Sequence, residues 1–344
     1  MLYSIFSGLV EIATIAITLG PHLIFPDLDF RAIFRKSHFD PATDIPSLEG
    51  KVILVTGGNV GLGKQTIANL AAHSPARIYL AARTASKAAS AIASLQRAYP
   101  SAAIEHLPLD LTSFASIASA ASAFKVREQR LDILINNAGI MMTPYSLTKE
   151  GYEIQFGTNH VGHALLTKLL LPVLLHTAAQ LGADVRIVNV SSLGMLAAPK
   201  GGIVFDQAAL EKQYTWRRYG QSKLANILFS RELAQRYPQI TSVSVHPGVI
   251  ITDLYDAFVS SAVMKVGLWF YKQIGRVLPG HFKDTRGGAL TQTWAATVEK
   301  ERIENGEFYR PVGVMTKGSK YGQDMGLAKR LWEWTDEQLG KHGY

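Results

Sequence analysis

The sequence predicts a doubly wound α/β domain, and three observations carry that prediction. Short β-branched runs alternate with longer helical stretches from about residue 50 onward. Those runs are apolar on both faces, as strands become when helices cover both sides of a sheet. A glycine-rich turn follows the first run directly and opens into a helical stretch. Alternation of this kind implies parallel pairing, because each return to the same edge of a sheet needs a crossover helix.

In chain order the expected strands are Val52–Thr56, Arg77–Ala81, Ala103–Pro108, Leu131–Ile135, Val185–Val190 and Thr241–His246. The expected helices are Gln65–His73, Ser86–Tyr99, Ser113–Gln129, Tyr152–His176 and Tyr219–Tyr237, with a further edge strand near Glu307–Arg310. Residues 26–49, with Pro26, Pro41 and Pro46, read as a linker into a catalytic domain of residues 50–340.

Bulk properties narrow the function. With 47% hydrophobic and 18% charged residues in 344 positions, the chain can bury a large core and is not a disordered polymer. The net charge of +8 is spread along the chain rather than gathered into basic runs, so no nucleic-acid partner is expected. There is no cysteine, which excludes disulfides, thiolate metal sites and cysteine nucleophiles.

Residues 1–25 stand apart. Their only Asp, Glu, Lys or Arg is Glu11, and the stretch is long enough to cross a bilayer. Glu11 in that setting costs roughly a few kcal/mol. A secretory signal fits poorly, because no basic residue precedes the apolar part. Arg31, Arg35 and Lys36 follow, so an anchor would leave the body on the cytoplasmic face of an internal membrane such as the endoplasmic reticulum. The other reading is a helix packed on its own domain or on a partner, with the protein in the cytoplasm.

After the first strand come Thr56-Gly57-Gly58-Asn59-Val60-Gly61-Leu62-Gly63. Glycines there permit a tight turn and close backbone approach to a pyrophosphate, and the following helix start supplies unpaired N–H donors. Gly57, Asn59, Gly61, Leu62 and Gly63 are therefore candidate cofactor contacts. The second strand ends in Ala81-Ala82-Arg83, where an enzyme for the non-phosphorylated dinucleotide would place a carboxylate. An arginine fork suits a 2′-phosphate, so Arg83 argues for NADP(H) over NAD(H), with Lys64 and Lys87 as candidate helpers.

Further motifs follow in order: Asp110-Leu111, Asn136-Asn137-Ala138-Gly139, Asn159-His160-Val161-Gly162, Val188-Asn189-Val190-Ser191-Ser192, Tyr219-Gly220-Gln221-Ser222-Lys223 and His246-Pro247-Gly248-Val249-Ile250-Ile251-Thr252. Together they resemble the short-chain dehydrogenase/reductase family from about residue 50 to about residue 255, with wording most similar to its retinol-dehydrogenase-like branch. The resemblance implies a Rossmann-type fold, an adenine contact at Asp110, cofactor contacts at Asn137 and Val249, and a nicotinamide contact at Thr252. It also implies that Asn159 holds a water chain to Lys223.

The chemistry can be argued from the residues as well. Tyr219 and Lys223 are four apart on an expected helix and share a face. A tyrosine hydroxyl titrates near ~10, and a neighbouring ammonium brings that down. Tyr219 can then exchange a proton with a carbonyl or alcohol oxygen, and Ser192 can hydrogen-bond the same oxygen. Ser191 is the alternative hydroxyl, since adjacent strand residues face opposite ways. His160, His163 and His246 read as structural, because nothing near them has metal-ligand spacing, and no metal is expected.

Ser192 and Tyr219 are 27 positions apart, a wide gap for such a motif pair. The insert Lys200–Arg218, with Tyr214 and Trp216, either lines the substrate entrance or covers the sheet. A substrate-loop region of about 255–285 contains the apolar stretch Tyr255–His281, with Trp269, Phe270 and Tyr271. It suits a lipophilic substrate such as a retinoid, steroid, terpenoid or polyketide, or else a helix packed on the core or on a second copy in a homodimer. The remaining readings are a non-catalytic nucleotide-binding scaffold and a membrane-tethered adaptor.

Overall fold

The computed structural model describes residues 38–250 and 282–344. Six parallel strands form the centre: β1 (Val52–Thr56), β2 (Arg77–Ala82), β3 (Ile104–Pro108), β4 (Ile133–Asn136), β5 (Arg186–Val190) and β6 (Thr241–Val245). Between them run α1 (Gly61–Ala71), α2 (Ala85–Ala98), α3 (Phe114–Arg127), α4 (Ile154–Ala178) and α5 (Thr215–Arg236). A two-residue pair, β7 (Val249–Ile250) with β8 (Phe282–Lys283), precedes α6 (Thr285–Thr297), β9 (Phe308–Arg310), β10 (Val314–Thr316) and α7 (Met325–Lys341).

The sheet order is β10-β9-β6-β5-β4-β1-β2-β3. Strand order therefore reverses between β1 and β4, and that switch point opens a crevice beyond the strands' carboxyl ends. β9 extends the sheet in parallel with β6, and β10 closes the edge antiparallel to β9.

Register explains why β1, β2 and β4 read as mainly apolar runs. Leu80, Val55, Ile135, Val188 and Val243 are consecutive partners across five strands and all face one core. That core is completed by Ile67 and Leu70 of α1, Leu95 of α2 and Trp294 of α6. The neighbouring row, Tyr79, Leu54, Leu134 and Ile187, faces the opposite core, filled by α3, α4, α5 and α7. This is a Rossmann-type parallel sheet with helices on both faces.

Several expectations need adjustment. The first helix begins at Gly61, four residues before the expected Gln65, so Gly61 and Gly63 form its first turn. α6 and α7 were not expected from the apolar pattern. Each is announced by an aspartate N-cap: Asp284 accepts from the Gly287 N–H at 2.7 Å, and Asp324 from the Leu327 N–H at 2.9 Å. α4 is long and apolar enough to cross a bilayer, yet it is a core helix, with Leu165, Leu166, Leu170 and Leu174 fully buried. Residues 1–25, the linker as far as residue 37, Thr252 and Tyr255–His281 lie outside the described residues.

Candidate active site

A cleft of about 560 Å³ runs along the carboxyl edge of the strands, from the end of β3 to the end of β6. Gly57, Asn59, Gly61, Leu62 and Gly63 line it beside β1. Gly57 has φ +65°, a left-handed conformation that costs glycine little. A Cβ on Gly63 would run into the Gly57 carbonyl and come within 2.7 Å of Asn137 Nδ2. The loop can thus lie flat against the Asn136–Gly139 turn only with glycine there. α1 starts after Val60, which offers no side-chain acceptor, and its first turn carries no acidic residue. The helix start therefore presents N–H donors and a positive dipole end to the cleft. These features fit a dinucleotide diphosphate.

Arg83 and Lys87 line the cleft where β2 ends, and both are exposed. Asp110 lines it at the end of β3, its Oδ1 accepting from the Thr112 N–H (3.0 Å) and hydroxyl (2.7 Å). Lys64 is not brought to the cleft. Its ammonium donates to Ser94 Oγ at 3.1 Å and borders a separate groove between α1 and α2. Val249 lies in β7, beside the cleft-lining Gly248.

Asn137 is held on three sides. Its N–H donates to Thr56 Oγ1 (2.9 Å), its Nδ2 to the Thr56 carbonyl (2.8 Å), and its Oδ1 accepts from Gln292 Nε2 (3.0 Å). Gln292, fully buried on α6, also donates to Thr66 Oγ1 at 2.6 Å. It couples α1, the Asn137 turn and α6.

At the β5 end, Ser192, Tyr219 and Lys223 line the same cleft. Tyr219 and Lys223 sit one turn apart on α5, 6% and 4% exposed. The Lys223 ammonium donates to the Val190 carbonyl at 2.9 Å and lies 5.8 Å from the centre of the Tyr219 ring. Burial pulls the Lys223 pKa down to about 8. Ser191 and Ser192 are separated by their partners. Ser191 Oγ donates to the Lys223 carbonyl at 2.7 Å, which anchors α5, whereas Ser192 Oγ accepts from the Gly194 N–H at 3.0 Å.

Asn159 lies behind the cleft, in a π turn (Gly157–Val161) within α4. Such one-turn widenings recur at functional sites. Its Oδ1 accepts from the Ile140 N–H (2.8 Å), and its Nδ2 donates to the Ile140 carbonyl and to Ser222 Oγ (both 2.9 Å). Ser222 in turn donates to the Tyr219 carbonyl at 2.8 Å. One amide thus ties α4, the 137–140 turn and the Tyr219 helix together.

The short chain dehydrogenase family profile matches residues 51–261 of this chain. The chain belongs to the short-chain dehydrogenase/reductase family. It is an enzyme of the oxidoreductase class. It is 40% identical over 315 residues to the short-chain dehydrogenase/reductase drtF of Aspergillus calidoustus, covering 86% of this chain and 96% of that one. It is 38% identical over 296 residues to retinol dehydrogenase 12 of Homo sapiens, covering 85% and 87%. A crystal structure of an uncharacterized protein from Mycobacterium paratuberculosis shares the fold at TM-score 0.65, with 28% identity over 86% of this chain and 96% of that one.

Three supports of this dehydrogenase/reductase site were not singled out from sequence. Gln292 is one. The second is a buried ion pair, Arg218 Nε to Glu153 Oε1 at 3.1 Å, which clasps the start of α5 to the start of α4. Arg218 also donates to the carbonyls of Gln213 (2.6 Å) and Thr143 (3.0 Å), so its charge is fully engaged. Burial nevertheless pushes the Glu153 pKa up. The third is Gly194, where a Cβ would stand 2.6 Å from Tyr219 Cε1. Gly194→Ala should therefore push the ring aside and lower kcat about 10–100-fold, since small misplacements of a reacting group are costly. Steady-state kinetics checks this, and an unchanged kcat would show that the ring has room to spare.

The insert Lys200–Arg218, which runs into the first turn of α5, packs largely as cover. Leu210 is fully buried, and the Val204 N–H donates to Gln221 Oε1 at 2.9 Å. Its aromatic tips remain outside: Tyr214 is 79% and Trp216 44% exposed, with the Trp216 ring 6.4 Å from that of Tyr219.

Proposed function

We propose that the protein is an NADP(H)-dependent oxidoreductase that interconverts a carbonyl and an alcohol on a lipophilic substrate, with Tyr219 as general acid/base. The observation that carries this reading is the meeting of Ser192, Tyr219 and buried Lys223 at one end of a cleft whose other end is a glycine-walled helix start. A scaffold would have no use for an ammonium kept out of water beside a tyrosine ring.

When bound, the dinucleotide supplies or accepts the hydride. The residues do the rest. Gly57, Asn59, Gly61, Leu62 and Gly63 would hold its diphosphate, Arg83 its 2′-phosphate, Asp110 its adenine end and Thr252 its nicotinamide, with Asn137 and Val249 as further contacts. Ser192 orients the substrate oxygen by a hydrogen bond. In reduction the Tyr219 hydroxyl gives its proton to that oxygen, and in oxidation the phenolate takes it back. The Lys223 cation stabilises the phenolate in both directions. Asn159, which grips Ile140 beside Lys223, would hold the water chain that reconnects Lys223 to solvent.

Similarity to retinol dehydrogenase 12 supports the retinol-dehydrogenase-like branch and a retinoid, steroid, terpenoid or polyketide-like substrate. The half-exposed Trp216 ring beside Tyr219 and the composition of Tyr255–His281 agree with it. We take residues 50–340 as the catalytic unit and residues 1–25 as a membrane contact that leaves it on the cytoplasmic side. The apolar composition of that segment and the basic residues after it support this placement.

Cofactor choice is tested at Arg83. No Asp or Glu occurs from Ala81 to Lys87 to repel a phosphate. Arg83→Asp should weaken NADPH binding about tenfold or more, the worth of a charge-assisted hydrogen bond, and leave NADH binding equal or stronger. Fluorescence titration with both cofactors reads the ratio, and an unaltered ratio would remove Arg83 from the cofactor site.

A further inference from the structure

His163 sits on α4 one turn after Asn159, with its ring buried and both ring nitrogens engaged. Nδ1 is 3.0 Å from the Asn159 carbonyl, and Nε2 is 2.9 Å from Thr56 Oγ1. A carbonyl can only accept, so Nδ1 carries the proton. Burial, with a smaller push from the Lys223 cation, holds the ring pKa down to about 4 against the pull of the Asn159 carbonyl. The imidazole is therefore neutral at physiological pH, and Nε2 is a bare acceptor. Thr56 must then donate its hydroxyl proton to Nε2; its other acceptor, the Ile135 carbonyl, is farther off at 3.4 Å. The Thr56 oxygen in turn accepts the N–H groups of Asn137 and Ala138, both at 2.9 Å. Every proton in this chain has one direction.

The chain joins two things that the chemistry needs in register. One end is the Asn137-Ala138 backbone that lines the cleft. The other is the π turn carrying Asn159, whose side chain grips Ile140. Between them lies Gly139, where a Cβ would come within 3.2 Å of Asn159 Oδ1 and 3.3 Å of Lys223 Nζ. Gly139 thus packs against both Asn159 and Lys223, and a shift of the turn against α4 disturbs the two together.

We propose that His163 is a positioning residue for the reaction: as an Nδ1–H imidazole it locks the 137–139 turn to the Asn159 turn of α4, and so holds Lys223 in place beside Tyr219. This role rests on the reading that Lys223 and Tyr219 run the proton transfer.

Two measurements test it on the full-length protein. Nitrogen NMR of the His163 ring should show the Nδ1–H tautomer with no titration from about pH 5 to pH 8, unlike an ordinary histidine. Kinetics with NADPH and decanal should show His163→Phe lowering kcat about 10–100-fold while the NADPH Kd moves less than about threefold. His163→Gln keeps an acceptor within reach of Thr56 and should recover part of the loss. An Nε2–H tautomer, a ring that titrates in that range, or a folded His163→Phe protein with wild-type kcat would overturn the proposal. So would kcat and NADPH affinity falling together with no recovery in His163→Gln, which is what a purely structural histidine would show. If Tyr219→Phe instead matches wild-type turnover, the acid–base reading has failed, and the tautomer measurement still judges the lock.

Discussion

Tyr219→Phe is expected to lower turnover about 10²–10⁴-fold, the usual worth of a positioned general acid, while NADPH binds within about threefold of wild type. The geometry makes this substitution selective. The Tyr219 ring is wedged against Gly194, and its helix is anchored through Ser191, Ser222 and Asn159. Phenylalanine keeps every one of those restraints, so only the hydroxyl is lost. The comparison therefore reads chemistry rather than folding. Steady-state kinetics with a matched NADPH titration decides it, and wild-type turnover in the variant would remove Tyr219 from the mechanism.

Lys223→Met is expected to lower turnover about 10²–10³-fold, the cost of removing one donor aimed at developing charge. It should also change the shape of the pH profile. Lys223 titrates near pH 8 because it is buried, so it is a cation below that value and neutral above it. The cation stabilises the phenolate that Tyr219 becomes after giving up its proton. Carbonyl reduction by the wild type should therefore be fast below about pH 8 and fall as the pH rises through it. In Lys223→Met that limb should vanish and leave a low, flat rate. Profiles of kcat/KM against pH for both proteins provide the check. An identical alkaline limb in the two would assign it to another group.

Much of the fold was legible because its signal is local. β1 and β4 are buried on both faces and β2 nearly so, and each reads as an apolar run without help from its neighbours. Tyr219 and Lys223 were legible for the same reason, since four positions on a helix place two side chains on one face. The start of α1 was misread because glycine is a poor helix former, and Gly61 and Gly63 look like loop. In the fold their bareness serves contact with the Asn137 turn. The supports of the site were hidden for a different reason. Gln292 meets Asn137 across 155 residues, and Arg218 meets Glu153 across 65, so no spacing along the chain announces either pair. Lys64 is placed differently from its expected role. It was expected to assist Arg83 at the 2′-phosphate, but its helix turns it toward Ser94 of α2.

His163 belongs with the hidden supports. By spacing it is one of three histidines on an apolar helix, with nothing to single it out. Its role appears only when both ring nitrogens have named partners and the direction of each hydrogen bond is worked out.

The most direct test of the central claim is NADPH oxidation by the purified full-length protein, followed against a panel of lipophilic aldehydes and ketones with NADH in parallel. The account predicts that at least one carbonyl compound is reduced with NADPH, and more slowly with NADH. Binding of neither cofactor, or tight NADPH binding with no turnover across retinoid, steroid and terpenoid carbonyls, would contradict it.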